Sequence, residues 1–441
     1  RWICMCVCVA GLTACATDQD APTIRDAALY AYGPYQYALN VERMLQRNQA
    51  AGVDINEIAY LTDLADHRSR SVTAPNADTI YGSAVLDLSA GPVALTVPDA
   101  GERYLSVMLM DIFSDIITTV GTRRTGESAG HYWIVGPDWA GPVPDEISLI
   151  RSPGQDVWLL ARVFVAGPDD LEAARALQSQ IIVRSVSDAP TPQRATLPGS
   201  DDQAHDALIR VNHLLGRAPN HPHTGRAAQF ETFGLRPGNT DAWADLGPLK
   251  RQAWRMALDR MPGALQAALA ERANAPGWRP APRNLSRYGT DDATRAAVSL
   301  IGFGALQIED ASYFSSSTDA QDRPLNGAYD YQLTLQPDAV PVDAFWSLSV
   351  YGVEADGRRF FIDNPINRHA INSATPGLVL DDEGMLTLQL SPDAPPSTAN
   401  WLPTPEGDFA LIFRTYLPGE PILSGNWTPP ALIRDIASGA E

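Results

Sequence analysis

The sequence predicts an α+β protein, mainly β: a β-sandwich, a helical middle domain and a C-terminal β-sandwich of jelly-roll type. Three observations carry that expectation. Short apolar runs bounded by Gly and Pro fill residues 79–165 and return over 329–416, as strands of packed antiparallel sheets do. Between them the apolar spacing becomes helical, beginning with Leu171, Ala174, Leu177 and Ile181. A chain of 441 residues, 45% hydrophobic and 19% charged, has ample material for several cores, which excludes a disordered or collagen-like protein.

The chain opens with an apolar stretch from Trp2 to Ala14 that holds or adjoins all four cysteines, Cys4, Cys6, Cys8 and Cys15. It is shorter than the roughly 20 apolar residues of a membrane span and runs straight into polar Thr17-Asp18-Gln19-Asp20, the profile of a secretory signal. Leu12-Thr13-Ala14-Cys15 resembles a bacterial lipobox, which implies cleavage before Cys15, its lipidation and attachment to a bilayer through acyl chains. The alternative is cleavage at an ordinary Ala-x-Ala-type site. Ala16 in place of an acidic residue favours sorting to the outer membrane on the periplasmic side. A net charge of -19 opposes nucleic acid as a partner, because phosphate backbones are bound through Lys and Arg. A homo-oligomer is compatible with the sequence.

Residues 1–14 are therefore expected as a lipoprotein signal peptide and 15–70 as a linker with short N-terminal helices, broken at Gly33-Pro34. The first sandwich spans 71–185. Pro75 and Asn76 set a turn, Val93, Leu95 and Val97 alternate as a half-buried strand, and Arg103 to Met110 and Val157 to Val165 are central strands. Asp169 and Asp170 are placed to cap a helix over Leu171–Ile181. The helical domain covers 186–310, with Pro262-Gly263 interrupting one of its helices. The second sandwich covers 311–435, and 436–441 is a tail. In it, Asp356-Gly357 joins the strand through Phe345 and Tyr351 to Arg359–Ile362 as a hairpin, and Phe409 to Tyr416 is a buried strand between Trp401 and Trp427. An Arg inside such an apolar run cannot be left unpaired, so Arg414 requires a carboxylate, a backbone carbonyl or solvent.

Both β regions resemble known domains. Pro75-Asn76-Ala77-Asp78-Thr79-Ile80-Tyr81, Asp87-Leu88, Arg103-Tyr104, Gly136-Pro137 and Arg162 resemble the DUF1254 domain of unknown function. Phe345-Trp346-Ser347-Leu348, Asn364-Pro365, Asn367-Arg368, Asn400-Trp401-Leu402-Pro403, Arg414-Thr415-Tyr416 and Trp427 resemble its usual bacterial partner, the DUF1214 domain. The resemblance implies an immunoglobulin-like first sandwich, a helical domain and a jelly roll. It implies no reaction and no catalytic residue.

The residues themselves leave two functional classes open. Nucleophile elbows, phosphate loops and dinucleotide fingerprints are missing from the sequence, and no cofactor or metal is expected; His221-Pro222-His223 is the nearest approach to a ligand pair. Asn76, Tyr81 and Arg103 in the first sandwich, and Trp346, Asn367, Arg368, Trp401, Arg414 and Trp427 in the second, combine flat apolar faces with hydrogen-bonding groups, as a site for a small polar or glycan-like ligand requires. A binding or scaffolding role in the periplasm is the expected function. The alternative is a carboxylate-dependent hydrolase of envelope glycans, for which Asp78 and Asp111 are the candidate acids, with Asp87 and Asp115 as their partners.

Overall fold

A computed structural model describes residues 22–186, 197, 199–273 and 275–435; Cys15 and the other cysteines lie outside the described residues. The first helix, α1 (Ile24–Ala50), starts at a capping box in which Thr23 and Asp26 exchange side-chain and backbone hydrogen bonds. Sequence reading breaks this segment at Gly33-Pro34, yet one helix runs through both. Proline removes one interior hydrogen bond, and packing outweighs that loss because Tyr30, Tyr32, Tyr35 and Tyr37 are all buried. Gly33 is required for a second reason: a Cβ there would lie 2.7 Å from Cδ of Arg295, which crosses the helix at that point.

The first sandwich has a five-stranded sheet ordered Ala59–Leu61, Thr79–Asp87, Asp156–Phe164, Leu105–Met110 and Ile116–Gly121. Facing it are Ser148–Arg151, Gly130–Val135, Val93–Val97 and Ile182–Ser185. Ala59–Leu61 precedes the expected boundary at 71 and still belongs to the sheet, since it pairs with Tyr81–Ser83. The two long central strands are buried on both faces. Ile80, Leu86, Val107, Leu109, Leu159 and Val163 meet Val93, Leu95 and Ile134 inside the sandwich. Tyr104, Met108, Met110, Trp158, Leu160 and Phe164 point the other way and join a larger core. An uninterrupted apolar run is what two covered faces demand.

The second sandwich follows the same rule. One sheet is ordered Arg279–Pro280, Ala311–Ser316, Phe409–Pro418, Val342–Val353 and Arg359–Phe360, with Ala370–Asn372 also on Val342–Val353. The other is Trp401–Pro403, Leu386–Ser391, Tyr331–Leu335 and Ile433–Arg434. Leu333, Leu348, Leu388, Leu390, Leu411 and Phe413 fill the space between. The expected hairpin at Asp356-Gly357 is present, with Gly352 opposite Phe360.

The helix α2 (Leu171–Gln178) precedes the last strand of the first sandwich and packs into that sandwich's interior through Leu171, Ala174 and Leu177, whereas between the sandwiches lie α3 (Gln203–Arg217), a 3₁₀ segment (Thr224–Phe233), α4 (Pro248–Ala273) and α5 (Asp292–Ile301). The helix α4 continues through Pro262, where sequence reading interrupts it. Asp170 does not cap α2 through its side chain. Its carboxylate accepts instead from Arg103 and from the Ala166 N–H, and these bonds hold it below the usual carboxylate range despite some burial. The helices α1, α3, α4 and α5 share one core with the outer face of the first sandwich and with Phe345 and Tyr416 of the second, so the helical domain has no separate interior.

Arg217, at the end of α3, is the main ionic tie between helices and sandwich. Its Nε donates to Asp156 at 2.6 Å and its Nη2 to Asp87 at 2.8 Å, both carboxylates being buried. Burial works to raise Asp87, but Ser89 and Arg217 outweigh it and leave the carboxyl below its ordinary value. Its stabilising contribution is thus present above the ordinary carboxylate pKa and lost as the pH falls through the lowered value. Arg217→Ala is expected to cost about 3–5 kcal/mol at neutral pH, because two buried carboxylates lose their partner. Chemical denaturation at descending pH checks this: the deficit should shrink below about pH 4, where the parent protein loses the same interaction.

Candidate functional site

Strand alternation sorts the second sandwich's central strands into two sets of side chains. Trp346, Leu348, Val350, Leu411 and Phe413 enter the sandwich core. Phe345, Ser347, Ser349, Tyr351, Arg414 and Tyr416 turn towards the first sandwich, where residues 74–81 meet them. The Pro75-Asn76 turn closes when the Asn76 Oδ1 accepts the Asp78 N–H at 2.9 Å. That leaves the Asn76 amide nitrogen to reach Thr79 Oγ1 and the hydroxyls of Tyr81 and Tyr416, at 3.0, 3.1 and 3.0 Å.

Arg414 finds the backbone carbonyls its position demands. Its Nη2 donates to Ala74 O, Pro75 O and the Tyr351 hydroxyl, and its Nη1 to Ser349 Oγ at 2.8 Å. The Tyr351 hydroxyl in turn donates to Pro75 O at 2.6 Å. Asp78 is fully buried and accepts from Ser347 Oγ at 2.6 Å and Asn372 Nδ2 at 3.4 Å. Burial raises its carboxyl above the usual value against the opposing pull of Arg414, Ser347 and Asn372.

Arg162 occupies the facing position on the first sandwich, directly opposite Tyr81 on one neighbouring strand and Ser106 on the other. It is 6% exposed, its Nη2 donates to Gly304 O, and its Nη1 has no hydrogen-bond partner. The guanidinium carbon lies 5.6 Å from the centre of the Tyr81 ring. Tyr81, Tyr104, Tyr313 and Tyr416 all sit near enough to act on its charge. Sequence reading missed Arg162 as a site residue although it stands in an apolar strand just as Arg414 does, which was the available signal.

Asp111 lies elsewhere, at the contact between first sandwich and helices. Its Oδ1 accepts the N–H groups of Phe113 and Asp115, closing a turn, and its Oδ2 is 2.8 Å from His221 Nε2. His221 Nδ1 accepts the His223 N–H, which puts the proton on Nε2 and directs it to Asp111. His223 Nε2 is 2.9 Å from Asp115, and Phe113 stacks on His221 with ring centres 4.8 Å apart. Burial works to raise Asp115, yet His223, Arg295 and the Tyr288 N–H together hold it below its ordinary value. These paired groups pin a turn to a loop. Among the described residues no three His, Cys, Asp or Glu side chains converge as a metal site needs.

The remaining candidates are dispersed. Arg103 is held by two 2.6 Å bonds to Asp170. Trp346 stacks on Phe413 inside the second sandwich, Trp427 packs at its margin against Phe314, and Trp401 donates to Ser391 O at 3.0 Å. Arg368 gathers the carbonyls of Thr398, Ala399 and Trp401, while Asn367 adopts a left-handed turn at φ 49° beside His369. The structure thus brings together Asn76, Asp78, Tyr81 and Arg414, and leaves Asp111, Arg103, Trp346, Asn367, Arg368, Trp401 and Trp427 apart from them.

Two sandwiches joined by a polar, tyrosine-rich seam, with helices sharing their core, define the class of protein. Residues 55–185 match the family described as "Protein of unknown function (DUF1254)", and residues 310–420 that described as "Protein of unknown function (DUF1214)". The chain belongs to the proteins that pair these two domains, DUF1254 first and DUF1214 second. Its fold is similar to that of the VPA0106 protein from Vibrio parahaemolyticus, at 23% identity and a TM-score of 0.71, over 94% of this chain and 100% of that one. An uncharacterized protein from Burkholderia cenocepacia aligns more loosely, at 14% identity and a TM-score of 0.46, over 91% and 87% of the two chains. No curated protein matches the chain.

Arg414→Ala should cost about 3 kcal/mol, the upper range for a charge-assisted hydrogen bond, in denaturant titrations at neutral pH. Asp78 gives the loss a pH signature. Because its folded pKa is raised, its contribution is present below the ordinary carboxylate pKa and lost as the pH rises through the raised value. Without Arg414 the ionised form loses its nearby cation, so the variant's deficit should grow from pH 4 upwards.

Proposed function

We propose that the protein is an envelope lipoprotein that binds a small polar or glycan-like ligand at the seam between its sandwiches, in the periplasm and anchored through Cys15 to the outer membrane. The observation that supports ligand binding is the convergence of Asn76 and Tyr81 from one sandwich with Arg414 and Tyr416 from the other. A bilayered protein interface could be sealed with apolar residues alone. Here instead it carries hydroxyls, an amide and guanidinium groups beside aromatic rings, the mixture that sugar-like ligands need. Anchoring rests on the lipobox-like Leu12–Cys15. Among the described residues no helix is long and apolar enough to cross a membrane.

A hydrolase acting on envelope glycans is the second reading, and the raised carboxyl of Asp78 is what favours it, since a general acid must hold its proton near neutral pH. It requires a second carboxylate roughly 5–9.5 Å away. The groups bonded to Asp78 are instead the side chains of Ser347 and Asn372, which ranks binding first.

Cell fractionation tests the address: Cys15→Ser should release the protein from membranes or leave it unprocessed, and unprocessed parent protein in the cytoplasm would refute the anchor. For binding, a thermal-shift screen over cell-wall fragments and oligosaccharides is decisive. A ligand at 100 times its dissociation constant adds about 2.7 kcal/mol of stability. The response should vanish in Asn76→Ala, whereas release of reducing ends that disappears in Asp78→Asn would favour the hydrolase.

A further inference from the structure

We infer that the seam takes an anionic ligand, a small organic carboxylate, whose carboxyl group pairs with Arg162. This rests on the proposed binding at the seam and names the chemistry of what binds there.

The first ground is charge. Arg162 is buried; among the described residues its guanidinium donates to the Gly304 carbonyl and lies beside the Tyr81 ring. The acidic groups that act on the surrounding tyrosines are committed elsewhere: Asp310, near Tyr104, pairs with Arg123, and Asp78, near Tyr416, is engaged by Ser347 and Asn372. The tyrosines around the guanidinium do not neutralise it, because burial pushes the hydroxyls of Tyr104, Tyr313 and Tyr416 up and keeps them protonated. A buried cation without a counter-charge is costly, and breaking a pair to leave one is among the most damaging changes a core can suffer. Arg217 shows how the same chain treats another largely buried guanidinium, with two carboxylates.

The second ground is the direction of the hydrogen bonds. Tyr81 and Tyr416 each accept from the Asn76 amide, and Tyr313 accepts the Leu306 N–H. None of these three hydroxyls donates to any described residue, so their protons, with those of Arg162 Nη1, are all on offer. The surroundings of Arg162 are rich in donors and poor in acceptors. A carboxylate is the complement: acceptor-only, with room for about four hydrogen bonds, and matched to a guanidinium fork. One cation balances one carboxylate, whereas a phosphate dianion would bring excess negative charge. Tyr81 and Tyr313 are only half-buried, so this end of the seam is not sealed in the core.

The test uses the full chain and pairs of probes differing in one charge: sodium benzoate against benzamide and sodium glucuronate against glucose, with inorganic phosphate and matched sodium chloride beside them. Benzoate or glucuronate should raise the melting temperature by several degrees over sodium chloride, and the neutral partners should not. Arg162→Met should abolish that response while melting at or above the parent in plain buffer, since replacing an unneutralised buried charge by an apolar side chain of similar volume relieves its cost. A large drop in the melting temperature of Arg162→Met, with no parent response to either carboxylate, would make the guanidinium a strut for Gly304 and overturn the inference. Tyr81→Phe, at a half-buried position, serves if Arg162→Met fails to fold: it should weaken the carboxylate shift and leave the unliganded melting temperature close to the parent's. A shift with glucose and none with the carboxylates would leave seam binding intact and remove the anion. An equal response to phosphate and benzoate would reject the carboxylate class.

Discussion

The structure depends on one sheet being covered on both sides. The Val342–Val353 and Phe409–Pro418 strands send Leu348 and Phe413 into the second sandwich and Ser347, Arg414 and Tyr416 against the first. A sheet in that position cannot use water to satisfy polar side chains, so its buried polar groups must find protein partners, some of them in the other sandwich. Arg414 does so by collecting the carbonyls of Ala74 and Pro75, which fixes the turn that presents Asn76 and Asp78. Geometry in one sandwich is therefore set by a side chain of the other. The polar seam and the relative placement of the two sandwiches are one construction.

The helices extend that logic. The outer face of the first sandwich, with Met108, Trp158 and Phe164, is apolar; Phe345 and Tyr416 of the second sandwich meet it at Tyr104 and Phe164, and α1, α3 and α5 join the same core. Ionic ties then sit at the margins of this core. Arg217 holds α3 to Asp87 and Asp156, and the two His–Asp pairs hold the loop before the 3₁₀ segment to the Asp111 turn. In each of these cases a buried or half-buried carboxylate has a basic side chain at hydrogen-bonding distance. Arg162 differs, because its hydrogen bond goes to the Gly304 carbonyl.

Much of the fold was legible because strands covered on both faces leave continuous apolar runs. Val157–Val165 and Phe409–Tyr416 are of that kind, and both are central strands. Weaker strands left no such trace: Ile116–Gly121 and Ser148–Arg151 are short or exposed, and pairing with a neighbour makes them strands. The helix breaks expected at Pro34 and Pro262 were overridden by tertiary packing, which local propensity does not encode. The seam was half legible. Polar and aromatic types in a strand-end motif drew attention to Asn76, Tyr81 and Arg414. The same types marked Trp401 and Arg368, which serve their own sandwich, because residue type does not say which face of a sheet a side chain takes once both faces are buried.

The position of α1 has a consequence for how the chain reaches this state. Among the described elements it comes earliest in the chain, and it packs against α3, α4 and α5, the last of which lies beyond Asp291. At a synthesis rate of about 5–20 residues per second, its tyrosine face gains Phe113 as the first sandwich emerges but still lacks its helical partners. A helix carrying Tyr30, Tyr32, Tyr35 and Tyr37 on surfaces meant for burial is a sticky object during that interval. The two sandwiches, each built from strands closer together in sequence, can form around it, but the common core closes only when the middle of the chain has been delivered. Assembly of this protein is thus paced by its longest-range helix contacts, and its most vulnerable moment comes before α5 is made.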